Sequence, residues 1–200
     1  MHYLDIHTHS IYPCNDGNHT SIISVDIREP FNPVDGCLYS VGIHPWYADA
    51  SLMPLVRKYA LMPQVVAIGE TGLDKAILKR KNRVGADGIN PPDINLQTDL
   101  LRQHALLAEE VRKPLIIHCV KAFNEIIKIK SDMKPALPWI IHGFRSNAQT
   151  AKMLLEADFY LSFGVNYQDD ALLLAFRYNR LLIETDTAEV DISEVYRRIS

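Results

Sequence analysis

Residues 115–118 read Leu-Ile-Ile-His, and residues 139–142 repeat the pattern as Trp-Ile-Ile-His. A short, wholly apolar run that ends in histidine suits a strand buried on both faces, as in a parallel sheet. The carboxyl ends of successive parallel strands meet on one face of a (β/α) barrel, where barrel enzymes build their active sites. Three other short apolar runs also end in residues that bind metal ions, namely His7 with His9, Glu70, and Glu184 with Asp186. The repeated pattern therefore predicts a barrel with a metal centre.

Eight apolar or β-branched runs qualify as strands, and helical periodicity appears between the later ones. The strands are predicted at residues 3–7, 21–26, 38–43, 65–69, 115–118, 139–142, 160–163 and 181–184. Apolar residues at three- and four-residue spacing predict helices over residues 52–61, 96–111, 123–129, 148–157 and 171–178. Strands that alternate with helices indicate parallel βαβ units, so we predict an α/β fold of the TIM-like (β/α) barrel type.

The first two connections depart from this pattern. Residues 10–20 and 27–37 are rich in Asn, Pro, Gly and Asp and show no helical period. Because a parallel crossover usually contains a helix, we expect the barrel to be distorted or reduced in its first third. The long basic stretch at residues 75–95 would open onto the catalytic face; we favour a solvated loop there over a substrate-facing lid.

Composition narrows the class of protein. A chain of 200 residues suits one domain, residues 1–200, and a net charge of −3 disfavours a broad nucleic-acid-coating surface while allowing a local basic rim. Three widely spaced cysteines imply no disulfide framework, and the N-terminus does not resemble a signal peptide. No apolar run is as long as a membrane span. We therefore expect a cytoplasmic protein without a membrane partner.

The first histidine pair favours a shared cation. The stretch Asp5-Ile6-His7-Thr8-His9 places two imidazoles two residues apart. Strand side chains alternate between faces, so His7 and His9 point the same way and can hold one ion. At the end of a buried strand, this pair is better explained as metal ligands than as surface histidines.

Other strand ends supply further candidate ligands. Glu70 lies among the glycines of residues 69–74, whose tight turns would let its carboxylate reach across the barrel mouth and bridge two cations; a helix N-cap is the alternative. His118 and His142 end strands at equivalent positions. Since burying an unpaired imidazole costs free energy, we favour co-ligands over core histidines.

The eighth strand ends in two carboxylates. Asp186 is the predicted ligand and general base, with Glu70 as the next candidate base, whereas Glu184 is expected to be a buried partner of a ligand histidine. With the ligands assigned, His44 is expected to donate a hydrogen bond to a substrate oxygen. Trp46 is expected to pack structurally, and stacking on a nucleic-acid base is the alternative.

Together and in order, these motifs resemble the TatD family of metal-dependent hydrolases, within the amidohydrolase-like barrel superfamily. The resemblance rests on residues 5–9, 42–45, 69–74, 114–118, 142–144 and 184–186, with a helix opening at Gln97. It implies two divalent ions, one held by His7, His9, Glu70 and Asp186 and the other by Glu70, His118 and His142. The mixed ligands suit Zn, Mn, Fe or Ni, and Mg where oxygen ligands dominate.

The resemblance also implies an activity, that of a 3′-to-5′ deoxyribonuclease. Family members have been linked as well to removing D-amino acids from tRNA. The chain departs from the usual family pattern at three positions, where Val120 replaces Arg, Ser146 replaces Gly, and Ala188 replaces a frequent Pro. These departures touch substrate recognition rather than the metal ligands.

Four functions are compatible with these residues. The leading hypothesis is a phosphodiesterase acting on DNA or another phosphodiester, in which His44, Lys121 and Arg145 clamp the non-reacting phosphate oxygens. The second is a metal-dependent ester or amide hydrolase, such as a D-aminoacyl-tRNA deacylase. The third is the polymerase-and-histidinol-phosphatase family, which commonly ends in Asp-x-His, whereas this chain has Asp186-Thr187-Ala188. The fourth is a non-catalytic binding protein that retains a barrel, and the complete set of candidate ligands argues against it.

Overall fold

The computed structural model describes residues 2–10, 17–77 and 93–199. Eight parallel strands lie side by side in sequence order and form one sheet. They are β1 (Tyr3–Thr8), β2 (His19–Asp26), β3 (Leu38–Gly42), β4 (Val65–Asp74), β5 (Leu115–Val120), β6 (Trp139–Ile141), β7 (Tyr160–Phe163) and β8 (Leu181–Ile183). The predicted parallel barrel is thereby confirmed.

The sheet closes between its last and first strands at their carboxyl ends. Thr8 forms a parallel bridge with Asp186. The Asp186 N–H donates to the His7 carbonyl at 2.9 Å, and the His9 N–H donates to the Asp186 carbonyl at 3.0 Å. Barrel closure thus brings the end of β8 directly beside the two histidines of β1.

Helices follow the later strands. They are α1 (Met53–Ala60), α2 (Ile94–Val111), α3 (Phe123–Met133), α4 (Ala148–Glu156), α5 (Asp169–Arg177) and α6 (Ile192–Ile199). The first five match predicted helices. The last was not predicted, although Ile192, Val195 and Ile199 have helical spacing and the first two are buried. No helix in the described part of the chain is long and apolar enough to cross a bilayer.

The first third of the barrel is reduced, as expected. Residues 27–37, between β2 and β3, contain turns and irregular backbone but no helix, and residues 9–10 and 17–18 of the preceding connection are also non-helical. The first crossover helix, α1, appears only after β3, preceded by the 3-10 turns Pro45–Tyr47 and Ala50–Leu52.

The fourth strand is longer than predicted, and this changes the role of its glycines. Residues 70–74 continue β4 instead of forming a tight turn, and Gly72 lies opposite His118 of β5. A Cβ atom at Gly72 would lie 1.9 Å from the His118 carbonyl oxygen. Glycine is required here because the two strand backbones approach too closely for any side chain.

Buried apolar clusters lie on both faces of the sheet. A large cluster packs the strands against the helices, and a smaller one contains Ile6, Ala67, Ile116 and Ile140. Ile116 and Ile140 precede His118 and His142 by two residues, so they share a strand face with them and form an apolar floor beneath the imidazoles.

Two cysteines can be described. Cys37 is buried and disulfide-bonded, whereas Cys119 is free. The odd number and wide spacing of the cysteines gave no reason to expect the bond at Cys37.

Candidate metal centre

The carboxylate of Glu70 occupies the middle of the barrel mouth. Its Oε1 atom lies 2.7 Å from His142 Nε2, 2.9 Å from His118 Nδ1 and 3.1 Å from His44 Nε2. Its Oε2 atom lies 3.5 Å from His7 Nε2 and 3.7 Å from His9 Nε2. The two oxygens of one buried carboxylate therefore face two different sets of imidazoles.

Asp186 completes the side nearest β1. Its Oδ1 atom lies 4.0 Å from His7 Nε2 and 3.7 Å from His9 Nε2. The bridge that closes the barrel fixes its backbone, so the side chain reaches the same space as Glu70 Oε2. All six predicted ligands thus lie around one centre.

The grouping of these side chains differs in part from the implied pair of ligand sets. Donor atoms lie within 4.8 Å of one another in three groups: His7 with His9 and Asp186, His7 with Glu70 and His142, and His44 with Glu70 and His118. The first group contains three of the four ligands of one implied set, without Glu70. In the others, His142 lies nearer to His7 than expected, and His44, predicted as a substrate contact, lies among the candidate ligands.

The chemistry of His7 is consistent with a cation at this place. Its side chain is fully buried, and neither ring nitrogen makes a hydrogen bond. A buried imidazole without a hydrogen bond costs free energy, which an ion bound between Nε2 and the nearby carboxylates would offset. Mixed imidazole and carboxylate donors suit divalent transition metals. The residues present therefore fit the implied metal ions.

The charges of the centre stabilise one another. Burial alone would raise the pKa of Glu70, but the surrounding imidazoles, His142 foremost, hold it well below its ordinary value. Burial alone would lower the pKa of His142, but Glu70 and Glu184 raise it well above the ordinary value. At His44, burial outweighs the attraction of Glu70, so its pKa is lowered.

Glu184 lies behind His142, where it was expected to support a ligand histidine. It is fully buried, and its Oε1 atom accepts from the Gly143 N–H at 2.7 Å and lies 3.5 Å from His142 Nδ1. Burial alone would raise the pKa of Glu184, but His142 lowers it. The carboxylate thus faces the ring edge opposite Glu70.

Asp5 is a buried carboxylate beside the candidate ligands that was not singled out from the sequence. It accepts from the Thr185 hydroxyl at 2.6 Å, from the Thr185 N–H at 3.1 Å and from the His7 N–H at 3.3 Å. These bonds tie the first strand to the end of the eighth. Burial raises the pKa of Asp5 to about 6. Its position two residues before His7 was the available signal, because alternate residues of a strand share a face.

His104 was also missed, because it lies inside a helix far from the motifs. Its Nε2 atom accepts from the Ile43 N–H at 3.0 Å, and its Nδ1 atom lies 2.7 Å from the Leu100 carbonyl. Burial lowers the pKa of His104 to about 4, so the ring stays neutral near pH 7. It anchors the strand end immediately before His44.

The mouth of the centre carries the two predicted phosphate contacts. Arg145 is exposed, and its Nη2 atom lies 3.5 Å from Asp186 Oδ2. Lys121 is also exposed and, with Arg145, His118 and His142, lines a cavity of about 410 Å³. Both basic side chains thus line an open cavity beside the candidate ligands.

A second cavity, of about 560 Å³, adjoins the ligands on the side of β2 and β3. Its lining includes Glu70, Asp26, Arg28, Trp46 and Tyr47. The Arg28 guanidinium lies 3.6 Å from the centre of the Tyr47 ring and pairs with Asp26 at 2.6 Å. Trp46 lines this cavity and is 41% exposed, so it does not merely cap the core.

The basic stretch predicted at residues 75–95 falls largely outside the described residues. Of its basic side chains only Lys75 is described, and it pairs with Glu125. The prediction of a solvated loop at residues 78–92 lies outside the described residues.

An eight-stranded parallel barrel with imidazoles and carboxylates gathered at its strand ends is an architecture suited to metal-dependent hydrolysis. The chain belongs to the family described as TatD related DNase, whose sequence profile matches residues 14–191. The resemblance seen in the motifs is thereby confirmed.

Relatives carry names of the same kind. An uncharacterized metal-dependent hydrolase of Buchnera aphidicola from Baizongia pistaciae is 32% identical, over 75% of this chain and 56% of the relative. The 3′-5′ ssDNA/RNA exonuclease TatD of Citrobacter rodentium is 29% identical, over 75% of this chain and 57% of the relative. The chain spans only about 56 to 63% of the length of such curated relatives.

Solved structures agree on the fold. The TatD homologue YJJV of Escherichia coli K12 superposes with a TM-score of 0.67 at 18% identity, covering 92% of this chain and 78% of that one. A TatD family hydrolase of Entamoeba histolytica gives a TM-score of 0.60 at 16% identity, covering 92% of this chain and 73% of that one.

Proposed function

We propose that this chain is a two-metal hydrolase that cleaves phosphodiester bonds of DNA from the 3′ end, acting as one domain. The observation that carries the proposal is the division of the Glu70 carboxylate between two sets of imidazoles. A carboxylate between two groups of imidazoles suits a paired-cation site, which can stabilise both the attacking and the leaving oxygen of a phosphodiester displacement. The name of the Citrobacter rodentium relative supports this substrate class.

Two groups of side chains would hold the ions. His7, His9 and Asp186 would hold one, His118 and His142 the other, and Glu70 would contact both. Bound divalent ions would neutralise the phosphate charge and lower the pKa of an attacking water.

Asp186 is the proposed proton acceptor. Its Oδ1 atom faces His7 and His9, while Oδ2 points toward Arg145 at the mouth. A carboxylate so placed can contact a cation through one oxygen and take the proton of the attacking water through the other. Glu70 is less suited, because imidazoles already surround both of its oxygens.

Three further side chains are proposed to bind the substrate. Lys121 and Arg145 would pair with non-bridging phosphate oxygens. His44 Nδ1 accepts from the Trp46 N–H at 3.1 Å, which places the ring proton on Nε2. His44 can therefore donate a hydrogen bond toward the centre, as its predicted role requires.

The test is a substrate comparison after metal reconstitution. Purified protein is stripped of metal, loaded with Mn²⁺ or Zn²⁺, and incubated with 5′-labelled single-stranded DNA, RNA, a phosphomonoester and an aminoacyl ester. We expect metal-dependent shortening of the DNA from its 3′ end. Cleavage of the aminoacyl ester alone would select the deacylase alternative. Failure to bind metal or to cleave any substrate would instead leave a non-catalytic barrel.

A further inference from the structure

Asp74 makes contacts that the proposed hydrolysis has not yet used. It is a buried carboxylate at the end of β4, four residues after Glu70. Its Oδ2 atom lies 3.2 Å from His118 Nε2, on the ring edge opposite Glu70. We infer that Asp74 is a positioning residue that keeps the proton of His118 on Nε2. This inference rests on the metal centre proposed above.

The two nitrogens of His118 explain the need for such a residue. Nδ1 lies 2.9 Å from Glu70 Oε1, and Nε2 faces Asp74. To bind a cation beside Glu70, Nδ1 must present a lone pair, so the proton of the neutral ring must sit on Nε2. A carboxylate that accepts this proton fixes both the tautomer and the ring orientation of a ligand histidine.

Hydrogen bonds to the backbone and to Gln97 fix the position of Asp74. Its Oδ1 atom accepts from the N–H groups of Ala76 and Ile77 at 2.7 and 3.1 Å. Its own N–H donates to Gln97 Oε1 at 2.8 Å. Since the turn bonds occupy Oδ1, the carboxylate cannot rotate without losing them, and Oδ2 stays directed at His118.

Trp46 shares the same oxygen. Its indole Nε1–H donates to Asp74 Oδ2 at 2.6 Å, and its ring borders the cavity on the side of β2 and β3. One carboxylate oxygen therefore positions both a candidate metal ligand and an aromatic ring at the mouth. If Asp74 only stabilised the turn at Ala76 and Ile77, its Oδ1 atom would be enough. The contacts of Oδ2 with the Trp46 and His118 side chains therefore indicate a second role.

The test compares Asp74→Asn with two matched variants. In Asp74→Asn, the amide oxygen can keep the bonds to Ala76 and Ile77, which turns the NH₂ group toward His118 Nε2. Trp46→Phe removes the second donor but leaves the carboxylate. Asp26→Asn removes a charge from the adjoining cavity without touching a candidate ligand.

Two measurements report on His118 without relying on activity. Long-range ¹H–¹⁵N spectra of metal-free, ¹⁵N-histidine-labelled protein identify its tautomer, and His118→Gln assigns the signal. Titration with Mn²⁺ or Zn²⁺ alone gives the cation affinities. We expect His118 Nε2 to carry a proton in the starting protein and to lose it in Asp74→Asn, with one cation bound about 10- to 100-fold more weakly. Trp46→Phe and Asp26→Asn should keep the tautomer and bind both cations within a few-fold of the starting protein.

An unchanged tautomer together with unchanged cation affinity in Asp74→Asn would overturn the inference. If circular dichroism shows that this variant does not fold, Asp74→Ser replaces it. Its hydroxyl can still accept from the Ala76 N–H but is too short to reach His118. If the starting protein binds no cation, the proposed function fails separately, and the tautomer comparison still decides the role of Asp74.

Discussion

The two sides of the metal centre differ in burial and support. On the side of β5 and β6, the side chains of His118 and His142 are 14% and 7% exposed, and Asp74 and Glu184 stand behind them. On the side of β1 and β8, His9 and Asp186 are 44% and 19% exposed, although His7 is fully buried. Among the described residues, His9 contacts no carboxylate other than Glu70 and Asp186.

This difference indicates that the two sides contribute to different properties, one to cation affinity and the other to turnover. Buried imidazoles backed by carboxylates are preorganised ligands, so the supported side should determine how tightly a cation is held. The open side leaves space for water and substrate beside Asp186, so it should determine turnover. Glu70 belongs to both sides, because each of its oxygens faces one of them.

The largest loss of metal and activity is expected for a change at Glu70, which faces both sides of the centre. Glu70→Gln replaces one carboxylate oxygen by an NH₂ group, so at least one set of imidazoles loses its acceptor. The starting protein should hold about two ions per chain, because six ligands are too many for one tetrahedral site. In Glu70→Gln we expect the metal content, measured by elemental analysis, to fall below about one ion per chain. DNA hydrolysis should fall by more than in Asp186→Asn.

Asp26→Asn is the control for this variant. It also removes a carboxylate charge next to the centre, but the native Asp26 side chain pairs with Arg28 and not with a candidate ligand. It should retain metal content and hydrolysis. Full metal content in Glu70→Gln would contradict the bridging role and leave two independently built sites.

The next effect isolates the open side. Asp186→Asn keeps the shape of the side chain and one oxygen toward His7 and His9 but has almost no basicity. Metal content should fall only modestly, while kcat should fall by about 10²-fold or more, the usual scale for loss of a general base. Single-turnover kinetics on labelled DNA at saturating metal provide the measurement. A kcat within a few-fold of the starting protein would remove Asp186 from the mechanism.

The supported side should respond in the opposite way. Glu184→Gln keeps an acceptor for the Gly143 N–H but withdraws the negative charge behind His142. We expect cation affinity to fall by about 10- to 100-fold, with most of kcat recovered when metal is raised to saturation. Calorimetric titration and rates over a metal series separate the two effects. A kcat that stays low at saturating metal would show that the two sides do not divide in this way.

Much of this arrangement follows from sequence pattern. Runs that end in His118, His142 and Asp186 predicted both the parallel barrel and the face on which candidate ligands gather. Such prediction works because strand direction and side-chain alternation are local properties, and in a parallel barrel they suffice to place strand ends together.

Of the two supporting carboxylates, Glu184 was predicted, whereas Asp74 was harder to predict for a physical reason. Asp74 was missed because the glycines of residues 69–74 were interpreted as a tight turn, which ended the alternation at Glu70. In the structure β4 continues, so Glu70 and Asp74 lie at alternating positions on one strand face. The requirement for glycine comes from the close approach of β5, a contact between distant segments that no local pattern reveals.

The smallest effects are expected at the exposed rim. Lys121 and Arg145 are both exposed, so each ion pair with a phosphate is formed in water and contributes modestly. These contacts should stabilise the bound substrate and the transition state alike, and loss of such binding raises KM without lowering kcat. Lys121→Ala or Arg145→Ala should therefore raise KM for single-stranded DNA several-fold and leave kcat nearly unchanged.

Initial rates over a range of DNA concentrations and at two salt concentrations test this, since added salt should reduce the difference from the starting protein. A fall in kcat for Arg145→Ala would place that residue with Asp186 on the catalytic side of the comparison, whereas unchanged kinetics in both variants would make them solvated surface charges.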